Sequence, residues 1–268
     1  MVAGAEARVV LQVAPLPPDV AVTVADMGLA EESRLLASRH PPSGVDPDFY
    51  AMRVAASPSD WVGWRAQHAS VLGRVPTTAE AARAFRLTVP VFFESSVRQS
   101  SSVNGIPEEL IWSVMRKESD FRTNAVSGSD AMGLMQVIPQ TALAIADRRG
   151  VAYVDGMLFE PHHAIEFGSW YLGALNDHFG NQLPLTIIAY NAGPLVVEDW
   201  LRRNGGMAHD EFVEEIPFDQ ARDYVRKVSE FMVEYIVSGG SDEVLNSATL
   251  GGLFPERIEN RTNGVVDF

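Results

Sequence analysis

A chain of 268 residues with 46% hydrophobic content has room for one large domain, or a domain with an appendage, around a real core. Its net charge of −14 excludes generic attraction to DNA, RNA or anionic membrane surfaces, which requires a basic face. With no cysteine, disulfides and thiolate metal sites are excluded as well.

The N-terminus does not read as an export signal. Glu6 sits where a positive region belongs, and the apolar run Val9–Ala14 is interrupted by Gln12. The chain is therefore either cytoplasmic or begins downstream of the signal of a longer precursor. No run approaches the roughly 18 apolar residues of a transmembrane helix. Residues 27–40, 48–56 and 59–72 and the stretch Ala79–Leu87 read as short helices, with Trp61 and Trp64 packing between them. We take 1–87 as a helical N-terminal segment of unknown role. A helix is expected over Val89–Arg98, followed by a polar loop over Ser100–Gly105.

Next comes PEELIWSVMRKES, residues 107–119. Ile111, Val114 and Glu118 step by three and four, so Glu118 continues the face that a helix would bury. Pro107, Glu108 and Glu109 suit the first turn. Burial and the negative helix end both raise a carboxyl pKa, and a Glu that keeps its proton near neutral pH can act as a general acid. The helix alone equally allows an ordinary surface Glu paired with Arg116 or Lys117.

Residues 124–133 carry turn residues in most positions and read as tight turns or a small hairpin. Pro139 opens a helix to about Asp147. Residues 161–180 form an amphipathic helix, with His162 and His163 structural and no metal-ligand pattern. Shorter helices follow over Pro184–Asn191 and Leu195–Arg203. Asp219–Val237 places Tyr224, Val228, Phe231 and Tyr235 on one face. The Gly- and Asn-rich residues 239–268 read as a peripheral tail.

Three runs stand at telling separations: ESDFRTNAVSGSDAMGLMQVIPQTA (118–142), AYNAGP (189–194) and EEIPFDQARDYVRKV (214–228). In this order they resemble the catalytic domain of soluble lytic murein transglycosylases. That resemblance covers about residues 88–238 and implies a mainly α, lysozyme-like catalytic domain with a small hairpin or turn region. Glu118 matches the family's single catalytic acid. Ser119, Ser127, Met135, Gln136, Tyr190, Asn191, Glu214 and Tyr224 match positions that line the glycan site or pack beside the acid. Four positions depart from the pattern: Asp130 stands for Gly, Leu195 for Gly, and Gln220-Ala221 for Glu-Thr.

The resemblance implies a cofactor-free, metal-free lyase acting on peptidoglycan glycan strands in the periplasm or cell envelope. Glu118 would protonate the glycosidic oxygen and then deprotonate the C6 hydroxyl of N-acetylmuramic acid, closing a 1,6-anhydro ring. An intramolecular nucleophile needs no second protein carboxylate. Two alternatives stand beside this reading. One is a lysozyme-type muramidase using Glu118 and Asp130; the other is a non-catalytic peptidoglycan-binding module. Asp130, in a Ser-Gly-Ser-Asp turn, is expected to cap backbone N–H groups rather than to catalyse.

Overall fold

A computed structural model of the chain describes residues 89–239, 257–259 and 262–263. All of them fall within the second of two compact units, Pro58–Phe268. The helices expected before residue 88, and the boundary at 87, lie outside the described residues.

The described residues are mainly helical, as the apolar periodicity implies. Helix α1 is Glu94–Asn104, α2 Glu108–Ser119, α3 Pro139–Arg149, α4 Pro161–His178, α5 Leu183–Ala192, α6 Pro194–Asn204, α7 His209–Glu214 and α8 Asp219–Gly239. A single 3₁₀ turn, Met157–Phe159, precedes α4. α2 lies along α8, and α5 packs against both α8 and α4. α1 also packs on α4.

α2 is central. Leu110 to Arg116 are buried without interruption, as expected of a helix enclosed on most sides. The one charge in that run, Arg116, is 5% exposed and pairs with Glu234 of α8 at 2.5 Å. Its guanidinium lies 3.9 Å above the Phe231 ring. Trp112 stacks on Tyr235, with ring centroids 5.6 Å apart. These contacts fix α2 against α8 before the site itself is considered.

The first helix departs from expectation. The serine run 100–102 is not a loop: α1 continues through it to Asn104 and stops at Gly105, φ 64°. Tertiary packing overrides the weak helix preference of serine here. Ser100 is buried, and Asn104 meets α4 at Gly173, where an added Cβ would lie 3.0 Å from the Asn104 backbone oxygen.

Between α2 and α3 the chain makes the expected turns. Val126 and Met132 form one antiparallel bridge, and Met132 and Val137 another. Gly133 (φ 72°) leaves no room for a side chain, because an added Cβ would come within 1.8 Å of the Leu158 oxygen. At the other end of the chain, the described part of the tail is tied to the domain. Ile258 is fully buried and exchanges backbone hydrogen bonds with Gly206 and Met207. Gln182 and the Glu259 backbone bond reciprocally, at 2.7 and 3.1 Å.

Candidate active site

Glu118 is the penultimate residue of α2, on the face turned toward α8 and α5. Burial pushes its carboxyl up from 4.5 to about 7. Two influences oppose that rise: the Tyr224 hydroxyl, which donates to Oε1 at 2.6 Å, and the Lys117 ammonium. No second carboxylate is among the groups acting on it. Because desolvation dominates, the proton is held by the walls of the site rather than by a neighbouring anion.

Three tyrosines make those walls. Tyr224, from α8, is 3% exposed. Burial and the nearby Glu118 push the hydroxyls of Tyr224 and Tyr190 well above 10, so both stay protonated donors. Tyr190, from the end of α5, donates to the Met135 carbonyl at 2.8 Å. Tyr171 of α4 lies against Tyr190, ring centroids 5.3 Å apart, and burial pushes its hydroxyl up to about 12. Sequence reasoning missed Tyr171. It sits inside an amphipathic helix, and nothing in the local pattern separates it from ordinary core.

The other sequence candidates are placed as follows. Ser119 is 1% exposed, so its side chain is not a sugar contact; the hydroxyl lies 2.8 Å from the Leu134 carbonyl and 3.1 Å from that of Met115. Met135 also departs from the groove-facing reading. Its side chain is fully buried, with the sulfur pressed on Gly168 where an added Cβ would lie 2.5 Å away. What Met135 gives the site is its carbonyl. Gln136, at φ 48°, turns its amide nitrogen inward to the carbonyls of Ala125 and Gly133, at 3.2 and 2.9 Å. Ser127 accepts the N–H groups of Ser129 and Ala131. Asn191 follows Tyr190 and is half-buried at the end of α5. Glu214 is exposed at the end of α7 and paired with Arg226.

Asp130 is exposed, with φ 61°. The capping expected of its carboxylate falls instead to the Ser127 hydroxyl, two and four residues before its N–H donors, the usual reach of a serine turn. Asp130 therefore occupies a left-handed turn position rather than a cap, a conformation that Asp tolerates better than most residues.

Among the described residues no cluster of three or more His, Asp or Glu side chains is arranged to hold an ion.

The transglycosylase SLT domain model matches residues 95–213. The soluble lytic murein transglycosylase of Escherichia coli is 32% identical over 166 residues, which are 61% of this chain and 26% of that protein. The chain thus spans about a quarter of the length of this relative. Among solved structures, the 70-kDa soluble lytic transglycosylase of Escherichia coli aligns with a TM-score of 0.60 at 24% identity, over 91% of this chain and 40% of that one. A complex of the 70-kDa soluble lytic transglycosylase with bulgecin A aligns with a TM-score of 0.57 at 22% identity, over 90% of this chain and 48% of that one. At these identities the structures establish the fold. Glu118, the Gly133–Gln136 loop and Tyr190 fall inside the matched segment, whereas Tyr224 lies beyond it on α8. Residues 95–213 thus match the transglycosylase SLT domain, and the relatives that the chain resembles over this stretch are lytic murein transglycosylases.

Proposed function

We propose that the chain is a peptidoglycan lytic transglycosylase. It cleaves the β-1,4 bond between N-acetylmuramic acid and N-acetylglucosamine and leaves 1,6-anhydro ends. The observation that carries this reading is one carboxyl, Glu118, half-buried at a helix end and raised by desolvation to about 7 with no second carboxylate acting on it. A group of that acidity is protonated in a useful fraction at neutral pH and, once ionised, is a competent base.

The steps follow from this. Glu118 gives its proton to the glycosidic oxygen as the bond breaks. The N-acetyl carbonyl of the muramoyl unit stabilises the anomeric carbon. Glu118, now a carboxylate, takes the C6 hydroxyl proton as that oxygen closes on C1. Protons balance, and no water is consumed. The Tyr224 hydroxyl stabilises the carboxylate phase through its bond to Oε1. Asn191, Gln136, Ser127 and Glu214 are the remaining groove candidates, carried over from the resemblance.

A hydrolase would require a carboxylate partner, about 5–5.5 Å away for retention or 6.5–9.5 Å for inversion. The exposed turn position of Asp130 does not favour it for that task. The substrate places the working protein in the periplasm or cell envelope. Among the described residues no helix is long and apolar enough to cross a membrane.

Digestion of purified peptidoglycan followed by mass spectrometry of the sugar ends tests the reading. Anhydro ends support it. Reducing ends would replace it with a muramidase, and intact strands with a binding module.

A further inference from the structure

Ser119 follows the acid and is shut away from any substrate. Its hydroxyl is engaged with the Leu134 carbonyl, and its own carbonyl accepts both the backbone N–H and the Nε of Arg122, at 3.1 and 2.9 Å. The next carbonyl along the loop, Met135, accepts the Tyr190 hydroxyl. Consecutive carbonyls of one loop are thus held from two sides, by α2 and by α5.

That loop is stiff. Gly133 is pinned under the Leu158 oxygen, and Gln136 ties its side chain back across the turn. Beyond Ser119 the chain cannot relax either. Asp120 and Phe121 both take left-handed backbone, φ 53° and 63°, a conformation non-glycine residues adopt only when their surroundings fix it. Phe121 is fully buried, edge-on to Phe92 with centroids 5.2 Å apart. The end of α2 is therefore held between an anchored turn and an anchored loop, and the Ser119 hydroxyl links it to that loop.

We propose that Ser119 is a positioning residue: by holding the end of α2 to the Leu134 carbonyl, it sets the depth at which the Glu118 carboxyl is kept from water. This rests on Glu118 being the general acid. The groups facing that carboxyl are Tyr224 from α8, Tyr190 from α5 and Lys117 from its own helix, with Asp120 and Arg122 on the turn that follows. The loop Gly133–Val137 carries no ionisable side chain. Both tyrosines are held well above 10, so a basic limb near neutral pH reports Glu118.

The test measures kcat and KM across pH on purified glycan strands for the parent, Ser119→Ala and Ser119→Cys, with Tm alongside. For Ser119→Ala the basic limb should move toward acid by about half a pH unit or more, as water reaches the carboxyl. Turnover should fall about 10-fold, a part of the 10²–10⁴-fold that a well-placed general acid supplies. KM should stay within about twofold. Ser119→Cys, a weaker donor in nearly the same space, should fall between. A raised KM with unchanged kcat and limb would overturn the proposal in favour of a substrate contact. A lowered Tm with unchanged kinetics, or failure of both variants to fold, would overturn it in favour of a purely structural role. A parent that does not cleave at all defeats the underlying reading; a parent that cleaves while the limb stays fixed defeats only the Ser119 assignment.

Discussion

The carboxyl that serves the site should cost the fold stability, and Glu118→Gln should recover it. In the folded protein Glu118 holds its proton to about pH 7, whereas an ordinary Glu releases it near 4.5. Below 4.5 both states are protonated and the contribution is fully present. As pH rises from 4.5 through 7 the unfolded chain ionises first, so stability is lost over that window and is constant above about pH 8. At about 1.4 kcal/mol per tenfold difference in proton affinity, the loss amounts to about 3 kcal/mol. Gln keeps the shape and can still accept from Tyr224, but it has no proton to lose. Glu118→Gln and the parent should therefore have similar stability near pH 4 and diverge above it, reaching a difference of about 3 kcal/mol by pH 7–8. For a chain of this size that is about 5–10 °C in Tm. Paired thermal melts from pH 4 to 8 measure it, and every other titrating group cancels in the difference. Melting curves that stay parallel across the range would refute the claim that Glu118 is buried protonated.

The same variant should lose cleavage by at least about 10²–10⁴-fold, the usual worth of a general acid, when anhydro products are counted by mass spectrometry. Tyr224→Phe removes the hydrogen bond that lowers the Glu118 pKa, so the basic limb of kcat/KM should move to higher pH, and a move to lower pH would contradict the bond. Asp130→Asn should keep most activity and the anhydro product, and a loss as complete as that of Glu118→Gln in a folded protein would revive the two-carboxylate hydrolase. Ile258→Ala should lower stability by about 2 kcal/mol in denaturant titration, because a fully buried side chain is truncated, while the pH profile stays fixed.

Much of the site was legible because it is local. Glu118 at the end of an apolar stripe, the Gly-rich turn after it and the helix starts at Pro139 and Pro161 all follow from spacing and capping chemistry. Tyr224 and Tyr190 came from the resemblance, and the structure places both beside the acid. What was not legible is which atom of a residue serves the site. Ser119 and Met135 stand in the right motifs, yet one contributes a buried hydroxyl and the other a carbonyl, and side-chain direction at a turn depends on the left-handed backbone at Asp120, Phe121 and Gln136. The serine run of α1 misled for a related reason. Polar composition suggests a loop, but Ser100 is buried and Asn104, at the end of the same helix, packs on Gly173 of the neighbouring helix. The tail failed the other way: its composition gives no sign that Ile258 is buried and pairs with the backbone of Gly206 and Met207, between α6 and α7.

If one carboxyl is to give a proton and then take one within a turnover, its affinity for that proton must lie near the working pH, and two opposed influences set it there. Burial alone drives a carboxyl upward, and a site dried too completely would hold an acid too weak to protonate a leaving oxygen. Tyr224 limits the rise, because its hydroxyl stabilises the ionised form that the second step requires. A carboxylate pair reaches a raised pKa by mutual repulsion, so its acid depends on the charge of the partner and titrates in two linked steps. Here the shift comes from the walls of the site, which do not titrate near neutral pH. One group, one environment and one basic limb are what the proposed single-acid mechanism needs, and under that proposal the exposed turn that carries Asp130 has no share in the chemistry.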